Sequence, residues 1–169
     1  THKLDPDDQW LYLPALKRVK GITSDNRSGS FVGSEFAYED LGSQELEKYK
    51  DRKYLRKEAC PNNNDLECHV ISRVPTEKSS GYKYQVLWLD DTDAHKVWKI
   101  DYFDRKGSHL KTLFFDDYKI YLDKHWRPSV YKMINHQTGK STDLLVQNIR
   151  FKVGLSSRDF NPKSLSRAR

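Results

Sequence analysis

No stretch of the 169 residues stays apolar for the 18 or so positions that a membrane-spanning helix needs, and the opening THKLDPDDQW has no apolar core of the signal-peptide kind. There is no internal repeat, no low-complexity tract and little helical spacing. The motifs of common catalysis are missing too. A nucleophile elbow needs G-x-S-x-G, and the nearest match, GSFVG, has its serine in the wrong place. Neither common phosphate-binding glycine loop occurs. Histidines 2, 69, 95, 109, 125 and 136 are scattered, with no two spaced to share one strand face. Asp116 and Asp117 are adjacent in a strand-like run and so point to opposite faces, which does not suit shared acid/base work. The acidic DDTDAH, with Asp90, Asp91 and Asp93, lacks the glycine and distant glutamate of an EF-hand and reads as a hairpin turn. Cys60 and Cys68 have only His69 nearby, too few ligands for a zinc site. These absences predict a protein that is not an enzyme and has no metal and no cofactor.

What is present fits one domain over residues 1–169, 36% hydrophobic, long enough for a sizeable core. The formal charge of +6 is compatible with anionic partners, but it is spread out. The most basic stretch, KYKDRKYLRKEAC, is interrupted by Asp51 and Glu58. Nucleic-acid binding needs a continuous track, so this reads as a solvated strand face and predicts no nucleic-acid partner. The two cysteines enclose PNNNDLE, a turn-forming segment between strand-like flanks, where a hairpin could hold them close enough to bridge. Such a disulfide would imply an oxidising compartment; the alternative is two reduced thiols.

From about residue 52 the chain is a train of strand-like runs separated by turns, a β-meander. SSGYKYQVLWLDD carries Tyr82, Tyr84, Val86 and Trp88 at period two, and KVWKIDYFD groups Trp98, Ile100 and Tyr102. HLKTLFFDDYKIYL is apolar on both faces, which fits either a packed sandwich or barrel, or a curved sheet whose concave side is open to an apolar ligand. DDQWLYLPALKRVKGI reads as an edge or bulged strand because of Pro14. STDLLVQNIRFKVG reads as a last strand, and SSRDFNPKSLSRAR as an extended tail with one short helical turn.

Five stretches, DDQWLYLPALKRVKGI, SGSFVGSEFAYEDL, YFDRKGSHLKTL, WRPSVYKMINHQTGKST and FNPKSL, resemble the bacterial outer-membrane lipoprotein-sorting proteins, relatives of the periplasmic carrier LolA often grouped under a treponemal sorting-like domain. They follow the family's order from Trp10 to Leu165. The resemblance implies a mainly β fold, a strongly curved antiparallel sheet or incomplete barrel with few short helices and an apolar interior that receives acyl chains. It implies a secreted, periplasmic protein of the Gram-negative envelope, whose genes often accompany lipid-exporting transporters of the resistance-nodulation-division (RND) type. It supplies no catalytic residue. Family members carry a signal peptide and further residues before QWLYLP, so the resemblance also implies a chain lacking the family's N-terminal part. A barrel without its first strands would expose an edge open to homodimer pairing.

The resulting expectation is a carrier of lipid or lipoprotein acyl chains, with Lys17, Arg18 and Lys20 meeting anionic headgroups or an acidic partner. The competing expectation is an envelope adaptor that docks on a transporter without holding lipid. Strand alternation nominates Trp10, Tyr12, Val86, Trp88, Trp98, Ile100, Tyr102, Phe114 and Ile149 as ligand-binding, with Phe31 and Phe36 at the cavity mouth as a gate, or as a plug of the barrel end. Alternation says which residues share a face, not which face points inward.

Overall fold

Pro14 divides the first apolar run instead of bending one strand. β1 (Gln9–Leu13) and β2 (Arg18–Ile22) form a hairpin, with Pro14–Leu16 as a 3-10 turn between them. Proline supplies the turn's φ and has no N–H to leave unpaired. The turn closes at Lys17, left-handed at φ 48°, whose N–H donates to Pro14 O at 3.2 Å. The expected single strand is thus two, forming a sheet of their own.

This computed structural model describes residues 7–165. Its main body is a seven-stranded antiparallel meander in sequence order: β3 (Tyr49–Cys60), β4 (Asn63–Pro75), β5 (Tyr82–Asp90), β6 (Val97–Asp104), β7 (His109–Tyr121), β8 (His125–Asn135) and β9 (Ser141–Leu145). Among the described residues β3 and β9 remain the two edges, so the curved sheet is an open half-barrel and not a closed one. The turns have local causes. In the β6–β7 connection the Asp104 carboxylate accepts the N–H groups of Lys106 and Ser108, both at 2.9 Å, while Gly107 takes φ 91°. β9 stops at Leu145, earlier than the apolar pattern of 141–154 suggests. Beyond it Asn148 and Lys152 take left-handed φ values of 58° and 55°, which break the extended run there. The tail holds a 3-10 turn, Ser157–Phe160, and one helical turn, α1 (Pro162–Leu165), as the Asn-Pro step predicts.

Cys60 and Cys68 are bonded, with Cα atoms 4.9 Å apart, and tie β3 to β4 beside a two-residue turn. The disulfide belongs to an apolar cluster with Val70, Val86, Trp88 and Trp98 on one face of the sheet. The second cluster, Phe36, Tyr82, Leu87, Ile100, Tyr102, Leu113 and Met133, occupies the other face. Two bulges distribute residues between the faces. Leu89 pairs with Val97 and Trp88 with Lys99, leaving Trp98 as the extra residue on β6, turned toward the disulfide. A second irregularity between Tyr82 and Tyr84 puts Tyr82 with one cluster and Tyr84 against the other. The period-two groupings read from β5 and β6 each break at these points.

The segment from Ser28 to Gly42 folds back across the second face. Val32 and Gly33 turn at φ 50° and 76°, and Phe31 N–H donates to Phe36 O at 2.7 Å across the turn. This small loop explains the local glycine and serine content. It leaves Phe36 3% exposed within the cluster and Phe31 packed against its edge.

Candidate ligand-binding cavity

Register across the meander sets the lining. Ile71, Leu87, Ile100, Leu113 and Met133 stand directly opposite one another on five consecutive strands, forming one apolar row on one face. Leu89 beside Val97, and Phe115 beside Tyr131 and Leu144, extend it toward one end. Over this face lies an open cavity of about 800 Å³, walled by Ile71, Leu87, Leu89, Ile100, Leu113, Phe115 and Leu144. Its far rim is basic and aromatic, with His95, Lys96, Lys124, His125, Trp126 and Arg127. Lys96 Nζ lies 4.6 Å from the Trp126 ring centre and 3.5 Å from Asp90.

The opposite end of the same face is polar. One row along, Arg73, Gln85, Tyr102, Lys111 and Asn135 face one another on the same five strands. Lys111 and Asp40 form a buried ion pair at 2.7 Å, and Lys111 Nζ also donates to Glu35 O at 2.9 Å. Asp40 further accepts from the Tyr82 hydroxyl at 2.6 Å and from Ala37 N–H at 2.7 Å. These bonds fasten the Ser28–Gly42 segment across the sheet, so Phe36 fills the barrel instead of hanging over an open mouth. Burial, with Asp40 nearby, pushes the phenols of Tyr82 and Tyr102 well above the ordinary tyrosine value and keeps them neutral. Burial also raises Glu39, against hydrogen bonds from Ser80 Oγ and Gly81 N–H.

Of the residues nominated from alternation, Phe36, Ile100 and Tyr102 line this cavity. Val86, Trp88 and Trp98 pack on the opposite face around the disulfide. Phe114 is also on that face, between Lys99 and Lys132 of the neighbouring strands. Trp10 and Phe31 meet elsewhere, in a smaller cavity of about 320 Å³ with Ile22, Leu41, Phe160 and Leu165. Tyr12 lies in β1, Ile149 lies beyond β9, and neither borders the main cavity. Lys17, Arg18 and Lys20 are exposed on the β1–β2 hairpin. Leu87, Leu113 and Phe115 were missed because their strands are apolar on both sides. Arg73 and Lys111 had a readable signal: each is a cation in step with the apolar residues of its strand. The histidines also meet unexpectedly. His109 and His136, on the face opposite the cavity, have ring centres 4.3 Å apart, and both Nε2 atoms reach Thr112 Oγ1, at 3.1 and 2.8 Å.

A family model described only as an uncharacterized-protein-like family matches residues 1–167. Among solved structures, a Vibrio parahaemolyticus chain described as an outer membrane lipoprotein-sorting protein domain is 51% identical, with a TM-score of 0.88 over 98% of this chain and 68% of that one. The chain belongs to the outer-membrane lipoprotein-sorting protein family. A DUF1329 family protein from Desulfovibrio piger is 27% identical, with a TM-score of 0.84 over 96% of this chain and 66% of its own. A LolA-superfamily protein from Nitrosomonas europaea, 17% identical with a TM-score of 0.60, covers 89% of this chain and 67% of its own, and shares the fold. This chain thus spans about two thirds of each of these structures. No curated protein matches it.

Proposed function

We propose that this chain is a lipid or lipoprotein carrier of the bacterial envelope that holds acyl chains against the inner face of its half-barrel. The observation that carries the reading is the cavity of about 800 Å³, walled by aliphatic and aromatic side chains on a sheet that does not close. That volume lies within the range of about 300–1,000 Å³ typical of small-molecule sites. Acyl burial is worth about 0.8 kcal/mol per methylene, so one chain could supply most of the affinity while release stays possible. The description of the Vibrio relative as a lipoprotein-sorting domain, and the LolA-like fold, support the same reading. So does a disulfide, which persists in oxidising compartments such as the periplasm. An RND-type transporter of the inner membrane is the partner proposed on the family resemblance.

The test is native mass spectrometry with lipid extraction, on protein purified gently from a Gram-negative periplasm. Reproducible co-purifying phospholipid or acylated peptide is expected. A clean apo mass that persists after incubation with envelope lipids would overturn the carrier reading and favour an adaptor.

A further inference from the structure

Arg73 carries a charge that the described residues do not neutralise. It is 6% exposed and lies on the cavity wall. Its Nε donates to Gln85 Oε1 at 2.8 Å and its Nη2 to Gln44 Oε1 at 2.6 Å, both neutral amides. The guanidinium carbon sits 3.5 Å from the centre of the Tyr49 ring, and the Tyr49 hydroxyl donates to the same Gln44 oxygen at 2.8 Å. Among the described residues no carboxylate stands within ion-pair distance of it. Asp40 is taken by Lys111, and Glu39 by Ser80 and Gly81. Buried charges are ordinarily paired, because desolvating one without a counter-charge is costly. Burial lowers the pKa of Arg73, but an arginine stays protonated at neutral pH.

We infer that Arg73 is the counter-charge for an anionic headgroup, phosphate or carboxylate, of a lipid whose acyl chains lie along the cavity. The inference rests on the carrier reading and narrows its cargo from acylated molecules in general to anionic lipids. Geometry favours it: Gln85, Gln44 and Tyr49 fix the guanidinium plane, and a planar fork matches two oxygens of one anion. Arg52, exposed on β3, brings a second guanidinium to the same wall. The apolar row of Ile71, Leu87 and Ile100 begins two residues along the strands from Arg73 on the same face, where chains would leave the headgroup. A neutral acylated peptide would leave Arg73 as it is.

The test titrates the protein with two probes of matched chains, dioleoyl phosphatidate and dioleoylglycerol, and separately with inorganic phosphate, following tryptophan fluorescence. Phosphatidate is expected to bind at least tenfold more tightly than dioleoylglycerol. Arg73→Gln should erase that preference while dioleoylglycerol binding stays within twofold, and Arg73→Lys should restore part of it. Gln44→Glu, at an exposed position, sets a carboxylate beside the guanidinium and covers the case in which Arg73→Gln does not fold. It should raise Tm and erase the preference. Equal binding of the two lipids, or a preference that survives these substitutions, overturns the inference and leaves the carrier reading intact. Inorganic phosphate binding as tightly as phosphatidate overturns the lipid assignment. Binding of neither lipid overturns both readings.

Discussion

At Asp40 one carboxylate accepts from Lys111 Nζ, the Tyr82 hydroxyl and Ala37 N–H, all within 2.7 Å, and so joins the connecting segment to β5 and β7. Asp40→Ala would leave the Lys111 ammonium, whose side chain is 5% exposed, buried without its partner. The expected loss is about 3–5 kcal/mol in urea unfolding, whereas Asp40→Leu combined with Lys111→Met should cost less than either single change. Asp90 behaves differently because it is a hydrogen-bond acceptor before it is an ion partner. Burial pushes its pKa up, but hydrogen bonds from Thr92 Oγ1, Trp98 Nε1 and Lys96 N–H outweigh this and hold it below the ordinary aspartate value. A folded pKa below the unfolded one gives stability that is present above the unfolded value and lost as pH falls through the folded one. Tm measured from about pH 5 to pH 2 should therefore fall more steeply in the wild type than in Asp90→Asn, around the free carboxyl value of about 3.9.

The elements show where period-two reading succeeds and where it fails. The meander and its turns were legible because turn residues punctuate every strand. The bulge at Trp98 was not, since nothing local marks a residue that leaves the alternation, and it moved Trp98 away from Ile100 and Tyr102. The β3–β4 hairpin, with its turn and cysteines, was readable as a unit. Its disulfide closes a loop with a sequence separation of 8, so Cys60→Ser with Cys68→Ser should cost about 2–3 kcal/mol, measured as a shift in the urea midpoint. β3 is also an edge of the sheet, where pairing with a second copy was expected. It carries Lys50, Arg52, Lys53, Arg56 and Lys57, and its pairing with β4 shifts register three times. Charge and bulges are what keep an edge from templating another strand. Light scattering after size exclusion should accordingly find a monomer near 19.9 kDa, and a dimer would show that this edge is not protected.

At the scale of the molecule, the half-barrel was legible from the train of strands and the family resemblance, but its inner wall was not. A sheet apolar on one side declares its core face, whereas this one buries Leu113 on one side and Trp88 on the other. Only the choice of face separates a lining residue from a structural one, and no single-strand pattern encodes that choice. Phe114 and Phe115 isolate it, being adjacent, alike in chemistry and both half-buried. Phe115 faces Tyr131 across β8 and lines the cavity, while Phe114 stands between Lys99 and Lys132 on the opposite face. If acyl chains bind the inner face, Phe115→Asp should weaken binding of a dioleoyl probe by tenfold or more, because a carboxylate then replaces apolar contact area. Phe114→Asp, next to two lysines, should leave that affinity within twofold. Near-UV circular dichroism on both variants separates lost binding from lost packing, and equal losses of affinity in two folded variants would place the ligand elsewhere than on the inner face.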